Sequence, residues 1–233
     1  MIHIPWLPHP LTEEQVRDHF MLMLEDDTED KPWMTMGDLQ FWSAAGFAYC
    51  LRSYARERGL PWYVASMHPI IYSWHGSPTK KQFAPDVYVA FVPDHPRPSF
   101  DVAREGGFPP FVLEVVSPAS VERDRIEKRE AYDALGVQEY ALFTPRDNEP
   151  SSLEGYQRTS GGHFAPWPPD AEGRLWSQTL GLFLAIRGAS LQAVTPEGEL
   201  LLTPDQDRTA RRQAEAEIQR LRAELERGRG DAI

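Results

Sequence analysis

Glu114 stands inside an otherwise apolar run, Phe111–Val116, and Asp86 follows Pro85 at the head of a second one, PDVYVAF. An ionised carboxylate in such a run is costly unless a cation, a lysine or arginine, or a mouth to solvent compensates it. Two such acids on neighbouring strands repel unless a metal sits between them. Downstream of Glu114, Asp124 and Lys128 lie on a segment of helical pattern. Two carboxylates and a lysine, delivered by two strands and a helix, are the parts from which a metal-dependent phosphodiester-hydrolysing centre can be built.

The elements must bring those parts together. Strand periodicity sets Val112, Glu114 and Val116 on one face and Phe111, Leu113 and Val115 on the other. Five of the six are strongly apolar, so this strand is expected to be central and covered on both sides. Asp86 shares a face with Tyr88 and Ala90, opposite Val87, Val89 and Phe91. Ser117-Pro118-Ala119-Ser120 turns the chain into a helix that Gly136 ends. At 100° per residue, one side of this helix gathers Val121, Asp124, Arg125, Lys128, Ala131, Tyr132 and Leu135. Glu122, Arg123, Glu127, Arg129, Glu130 and Asp133 take the other side, and Ile126 and Ala134 fall out of pattern. Lys128 thus lies in the packing stripe although solvent-facing positions were open to it. A carboxylate on the adjacent strand is the natural reason.

Around this centre, Thr12 with Glu13, Glu14 and Gln15 opens a capped helix to Leu24, and Glu25–Asp30 is an acidic loop. Gly37–Arg58 reads as a second helix ended by Gly59 and Pro61. Strands are expected at Trp62–Ala65, Ile70–Trp74, Asp86–Val92, Phe111–Val116 and Tyr140–Phe143, and hairpin strands at Leu153–Gln157 and Leu191–Leu202. Strand, helix, strand through the middle implies a right-handed crossover and a mixed sheet. From Asp205 to Arg227 the chain is a charged helix in which Ala214, Ile218, Leu221 and Leu225 alternate by four and three, the seam of a short coiled coil. Two heptads are too few to stand alone. This helix packs on the domain or pairs with a second copy.

Composition narrows the class. The 233 residues are 41% hydrophobic, with eleven Phe, eight Tyr and seven Trp, which is enough for a folded core. No apolar run reaches the length of a membrane span, and the start carries no signal-peptide pattern. The single cysteine, Cys50, excludes an internal disulfide and a multi-cysteine zinc site, so a reducing, cytoplasmic setting is expected. The seven histidines lack metal-ligand spacing, Ser117 lacks a nucleophile elbow, and Gly106-Gly107 is no phosphate loop. A net charge of −11 argues against tight nonspecific binding to nucleic acid, although Arg123–Arg129 and Arg208–Arg222 are locally basic.

Pro-Asp at 85–86, the strand ending EVVSP, D-x-x-x-K at 124–128 and GVQEY at 136–140 together resemble the PD-(D/E)xK nuclease superfamily. They resemble in particular its Uma-type branch of bacterial restriction-endonuclease-like proteins. The likeness is densest over Phe83–Pro145 and extends to LWSQTLGLFLAI, PEGELLLTP and the charged C-terminal helix. It implies an α/β (α+β) restriction-endonuclease-like core, a mixed central sheet flanked by helices, with that C-terminal helix appended. It also implies a magnesium (or manganese) ion held by Asp86, Glu114 and the Val115 carbonyl, and DNA as substrate. Where the pattern puts its lysine, two residues after the glutamate, this chain has Val116. The role then passes to Lys128, which would orient a water and stabilise charge on the phosphate, while Asp124 tethers Lys128 or backs the metal ligands. Tyr132 and Tyr140 read as core.

The expected organisation is a nuclease-like domain over residues 1–204 and a charged helical tail over 205–233. The leading function is a magnesium-dependent DNA endonuclease, possible as a homodimer through the tail and without a membrane partner. The rival is a nuclease-fold module that binds DNA or protein without cleaving. An assembly role for the tail is a third reading.

Overall fold

Long apolar runs, each broken by a turn signal, make the two central strands, and everything else in the fold covers their faces. A computed structural model describes residues 38–73, 80–117, 120–146 and 148–230. The helix expected at Thr12–Leu24 and the acidic loop lie outside the described residues.

Helix α1 (Asp38–Glu57) turns Ala44, Phe47, Cys50, Leu51 and Ala55 inward. It stops where Gly59 takes the left-handed conformation at φ 64°, which a side chain would disfavour. The strands that follow are β1 (Tyr63–Ala65), β2 (Ile70–Ser73), β3 (Lys80–Phe83), β4 (Val87–Ala90), β5 (Phe100–Asp101) and β6 (Phe111–Val115). A one-turn helix, α2 (Val102–Glu105), sits between β5 and β6, capped by the Asp101 side chain on Ala103 N–H. After β6 the chain forms a π-helical turn, Arg123–Lys128, that runs into α3 (Arg129–Ala134). Then come β7 (Glu139–Thr144), β8 (Ser152–Arg158), β9 (Phe164–Pro166), β10 (Leu175–Ser177), β11 (Leu182–Arg187), β12 (Ser190–Val194) and α4 (Pro204–Gly230).

The central sheet has the order β1-β4-β6-β7-β8-β9. Only β6 and β7 run parallel in it, joined over the sheet by the π-turn and α3, so the sheet is mixed as expected. Two small sheets complete the domain, β10-β11-β12 and β3-β2-β5. One face of the central sheet packs Val87, Val89, Phe111, Leu113, Val115 and Phe143 against α1 and the β10–β12 sheet. The other face packs Tyr88, Val112, Val116, Tyr140 and Leu142 against α3 and the β2–β3–β5 sheet. The alternation read from the sequence is thus the alternation between two cores, except that Phe91 lies past the end of β4, half exposed.

Several expectations need correction. The strand expected at Asp86–Val92 is Val87–Ala90, because Asp86 uses its groups on β6 instead of the ladder. The expected hairpin over Leu191–Leu202 reduces to β12, a turn at Thr195–Gly198 and a single bridge, Val194 to Leu200. Between Val92 and Phe111, where no element was expected, the chain forms β5 and α2. Strands β3, β9, β10 and β11 had no counterpart in the strand assignment.

One polar group fastens the β10–β12 sheet. Glu139, on β7, is 2% exposed. It accepts from Gln178 N–H at 2.8 Å, Thr179 N–H at 3.2 Å and Gln157 Nε2 at 3.1 Å, and from the Ser177 hydroxyl. A buried carboxylate so well supplied with donors is stable where it stands. Helix α4 begins with a reciprocal cap: Thr203 N–H donates to Gln206 Oε1, Gln206 N–H donates back to Thr203 Oγ1, and Pro204 fills the first turn.

Candidate active site

Antiparallel pairing sets Val87 opposite Leu113. One step further along, Asp86 and Glu114 face each other across the two strands. Asp86 Oδ2 accepts from Val115 N–H at 2.7 Å, and Asp86 N–H points to Glu114 Oε2 at 3.4 Å. The side chain of Glu114 is 1% exposed and reaches the α3 side of the sheet. There Lys128 Nζ lies 3.1 Å from Glu114 Oε2 and 2.8 Å from Asp124 Oδ1. Tyr132, one turn beyond Lys128, donates its hydroxyl to Glu114 Oε1 at 2.7 Å. The structure therefore brings Asp86, Glu114, Asp124 and Lys128 into one cluster. Val115 joins it through its amide.

The helix does not deliver Lys128 in the way a regular wheel implies. Arg123–Lys128 is wound as a π-helix, so the 100° step fails over the very residues that carry the acid and the base. Ile126, out of pattern on the wheel, is 47% exposed. Two groups pin the wider turn. Tyr140 donates to the carbonyl of Asp124 at 2.9 Å from inside the sheet, and Arg125 pairs with Glu154 of β8 at 2.6 Å from outside. Asp124 and Lys128 consequently both face Glu114.

Electrostatics follow from burial. Desolvation, then the charge of neighbouring Glu114, pushes the Asp86 carboxyl from 3.8 up to about 8, with Lys128 and the Val115 N–H opposing. Burial alone would lower the Lys128 ammonium, but Glu114 and Asp124, with help from Asp86, outweigh it and hold the group above its usual value. Burial raises the Tyr132 and Tyr140 phenols, which stay neutral donors. A cavity of about 300 Å³ opens onto the cluster, lined by Pro69, Gln82, Phe83, Ala84, Glu114, Arg123, Lys128 and Tyr132.

The donor set fits one hard divalent cation. Asp86 and Glu114 are paired carboxylates, with Lys128 Nζ 3.1 Å from Glu114. Magnesium is commonly held by one or two carboxylates with waters completing an octahedron. Among the described residues no group of three or more His, Cys, Asp or Glu could enclose a metal, so an all-protein cage is absent. Sequence reasoning missed one participant. Tyr132 was assigned to the core, and it is fully buried, but its hydroxyl is spent on Glu114. A tyrosine in an apolar stripe carries no sequence signal for its hydroxyl partner.

Val116, at the position where the nuclease pattern has its lysine, is 1% exposed and packs in the α3-side core. Among the described residues, no helix is long and apolar enough to cross a membrane. No curated protein matches the chain. A crystal structure from Anabaena variabilis ATCC 29413, titled as a "putative nuclease belonging to DUF820", superposes with a TM-score of 0.40 at 14% identity, covering 61% of this chain and 73% of that one. The sequence model of the Uma2 family, described as "Putative restriction endonuclease", matches residues 32–190. That span is most of the chain and includes β4, β6 and the π-turn with every residue of the cluster, and the protein belongs to the Uma2 family.

Proposed function

We propose that the protein is a divalent-cation-dependent DNA endonuclease whose centre is Asp86, Glu114 and Lys128. The observation that carries this reading is the pairing of Lys128 Nζ with Glu114 Oε2 at 3.1 Å, beside a second carboxylate across the strand. Asp86 and Glu114, with the Val115 carbonyl, would hold magnesium or manganese, which when bound polarises a phosphoryl oxygen and acidifies a water. Lys128, 18% exposed at the cavity, orients the attacking water and stabilises charge that develops on the phosphate. Asp124 fixes the lysine from the preceding turn. Tyr132 fixes the rotamer of Glu114 through Oε1 and leaves Oε2 beside Lys128 and Asp86, where it would share in holding the cation.

Cleavage of supercoiled and single-stranded DNA with magnesium or manganese tests the proposal. Wild type is expected to nick in a metal-dependent way, and Glu114→Ala to abolish nicking. Lys128→Ala is expected to slow it on the order of 100-fold or more. Wild-type protein that binds the cation yet cleaves neither substrate would overturn the reading. It would favour instead a binding module on the nuclease fold, for which buried Val116 and the net charge of −11 speak.

A further inference from the structure

Every described side chain of α4 from Arg208 to Arg222 is exposed. Among the described residues, α4 meets the domain near its start, where Asp207 lines a cavity together with Tyr49, Ser53 and Glu57 of α1. Over Arg208–Arg222, then, the helix does not pack on its own domain. Its internal support is the cap at Thr203 and the ion pairs Asp207–Arg211 at 3.1 Å and Glu217–Arg220 at 2.8 Å, each a modest contribution. On this polar surface Ile218 and Leu221 are 50% and 46% exposed. With Ala214 before them and Leu225 after them in sequence, they form a seam narrower than the stripe of a core-packing helix.

We infer that this seam is closed by α4 of a second copy of the chain, as a parallel, in-register two-stranded coiled coil. The four-three spacing sets Ile218 and Leu225 at heptad position a and Ala214 and Leu221 at d. Ile218 at a with Leu221 at d is the β-branched and leucine pairing that favours two strands. Glu217 and Glu224 then take position g, and Glu215, Arg222 and Arg229 take position e. In a parallel pair each g faces the following e of the other helix, so Glu217 meets Arg222 of the partner subunit. Reversing one helix sets g against g and e against e. Glu217 would then oppose Glu224, cancelling the attraction between Glu215 and Arg222. Because α4 is helical and capped before it associates, few residues have to be ordered on pairing. The inference is independent of the catalytic reading.

Sedimentation equilibrium of the full chain tests it. A reversible dimer is expected, and Ile218→Lys with Leu221→Lys should weaken it by roughly 100-fold or more. The same protein should keep the wild-type thermal midpoint of the core, since α4 lies outside it. Glu217→Arg or Arg222→Glu alone should weaken the dimer, and the two together should restore it. Ala214→Cys should form a disulfide-linked dimer on mild oxidation, because d faces d only in the parallel register. Cys50, 2% exposed, stays out of this reaction. A monomer at every attainable concentration, or a dimer indifferent to the two lysines, would overturn the pairing. A dimer without the Ala214→Cys cross-link, or without charge-swap restoration, would overturn its parallel register.

Discussion

Asp86 and Glu114 illustrate how far a single residue's surroundings decide its chemistry. In the folded chain the Asp86 carboxyl is raised to about 8 from 3.8, so folding takes up a proton between those values. The folded state then binds more protons than the unfolded one, and stability falls as pH rises from about 4 to about 8, levelling above it. Urea denaturation without divalent cations should reveal that decline, and Asp86→Asn should flatten it. Added magnesium should oppose it in wild type alone. Tyr132→Phe removes one hydroxyl from a buried carboxylate and should lower stability by about 1–3 kcal/mol. It should also weaken magnesium binding measured by calorimetry, whereas a tyrosine that merely filled space would leave that affinity unmoved. The convergence of Asp86, Glu114 and Lys128 was legible in the sequence, because an acid in an apolar run and a lysine in a packing stripe both demand partners. The part of Tyr132 was not, since burial of a phenol ring explains itself.

At the scale of the element, the π-turn is the feature that a regular helical wheel conceals. Lys128 and Asp124 were placed on the right side of the helix, but the winding between them is wider than 3.6 residues per turn. Deleting Ile126, which is half exposed, should let the segment relax to an ordinary α-helix and carry Asp124 away from Lys128. Circular dichroism and the thermal midpoint should stay near wild type while DNA cleavage is lost. Strand β8 offers a second test. A Cβ on Gly155 would lie 2.7 Å from the Tyr140 carbonyl oxygen and 3.0 Å from the Trp167 ring. Gly155→Ala should therefore cost about 1–3 kcal/mol in denaturant unfolding. Strand β3, KKQF, escaped sequence reading because its polar, largely exposed residues lack an apolar alternation.

For the whole molecule, the net charge of −11 sets the terms on which nucleic acid can approach. Without a divalent cation, fluorescence anisotropy should find DNA binding no tighter than the ~10⁻⁴–10⁻⁶ M of nonspecific contacts, weakening further with salt. The mixed sheet was legible from strand, helix, strand order, because a parallel neighbour needs a crossover. Of the β10–β12 sheet only β12 was legible, since β10 is three residues long and LFLAIR in β11 is a near-continuous apolar run without alternation.

Glu139 also bears on how the chain is made. Three of its four donors, Ser177, Gln178 and Thr179, leave the ribosome well after β7 does. Until they emerge, the face of β7 that carries Glu139, Ala141 and Phe143 lies open to water, because the β10–β12 sheet is what covers it. A nascent chain stalled short of Thr179 should therefore pair its central strands yet leave one apolar face bare, a ready client for chaperones.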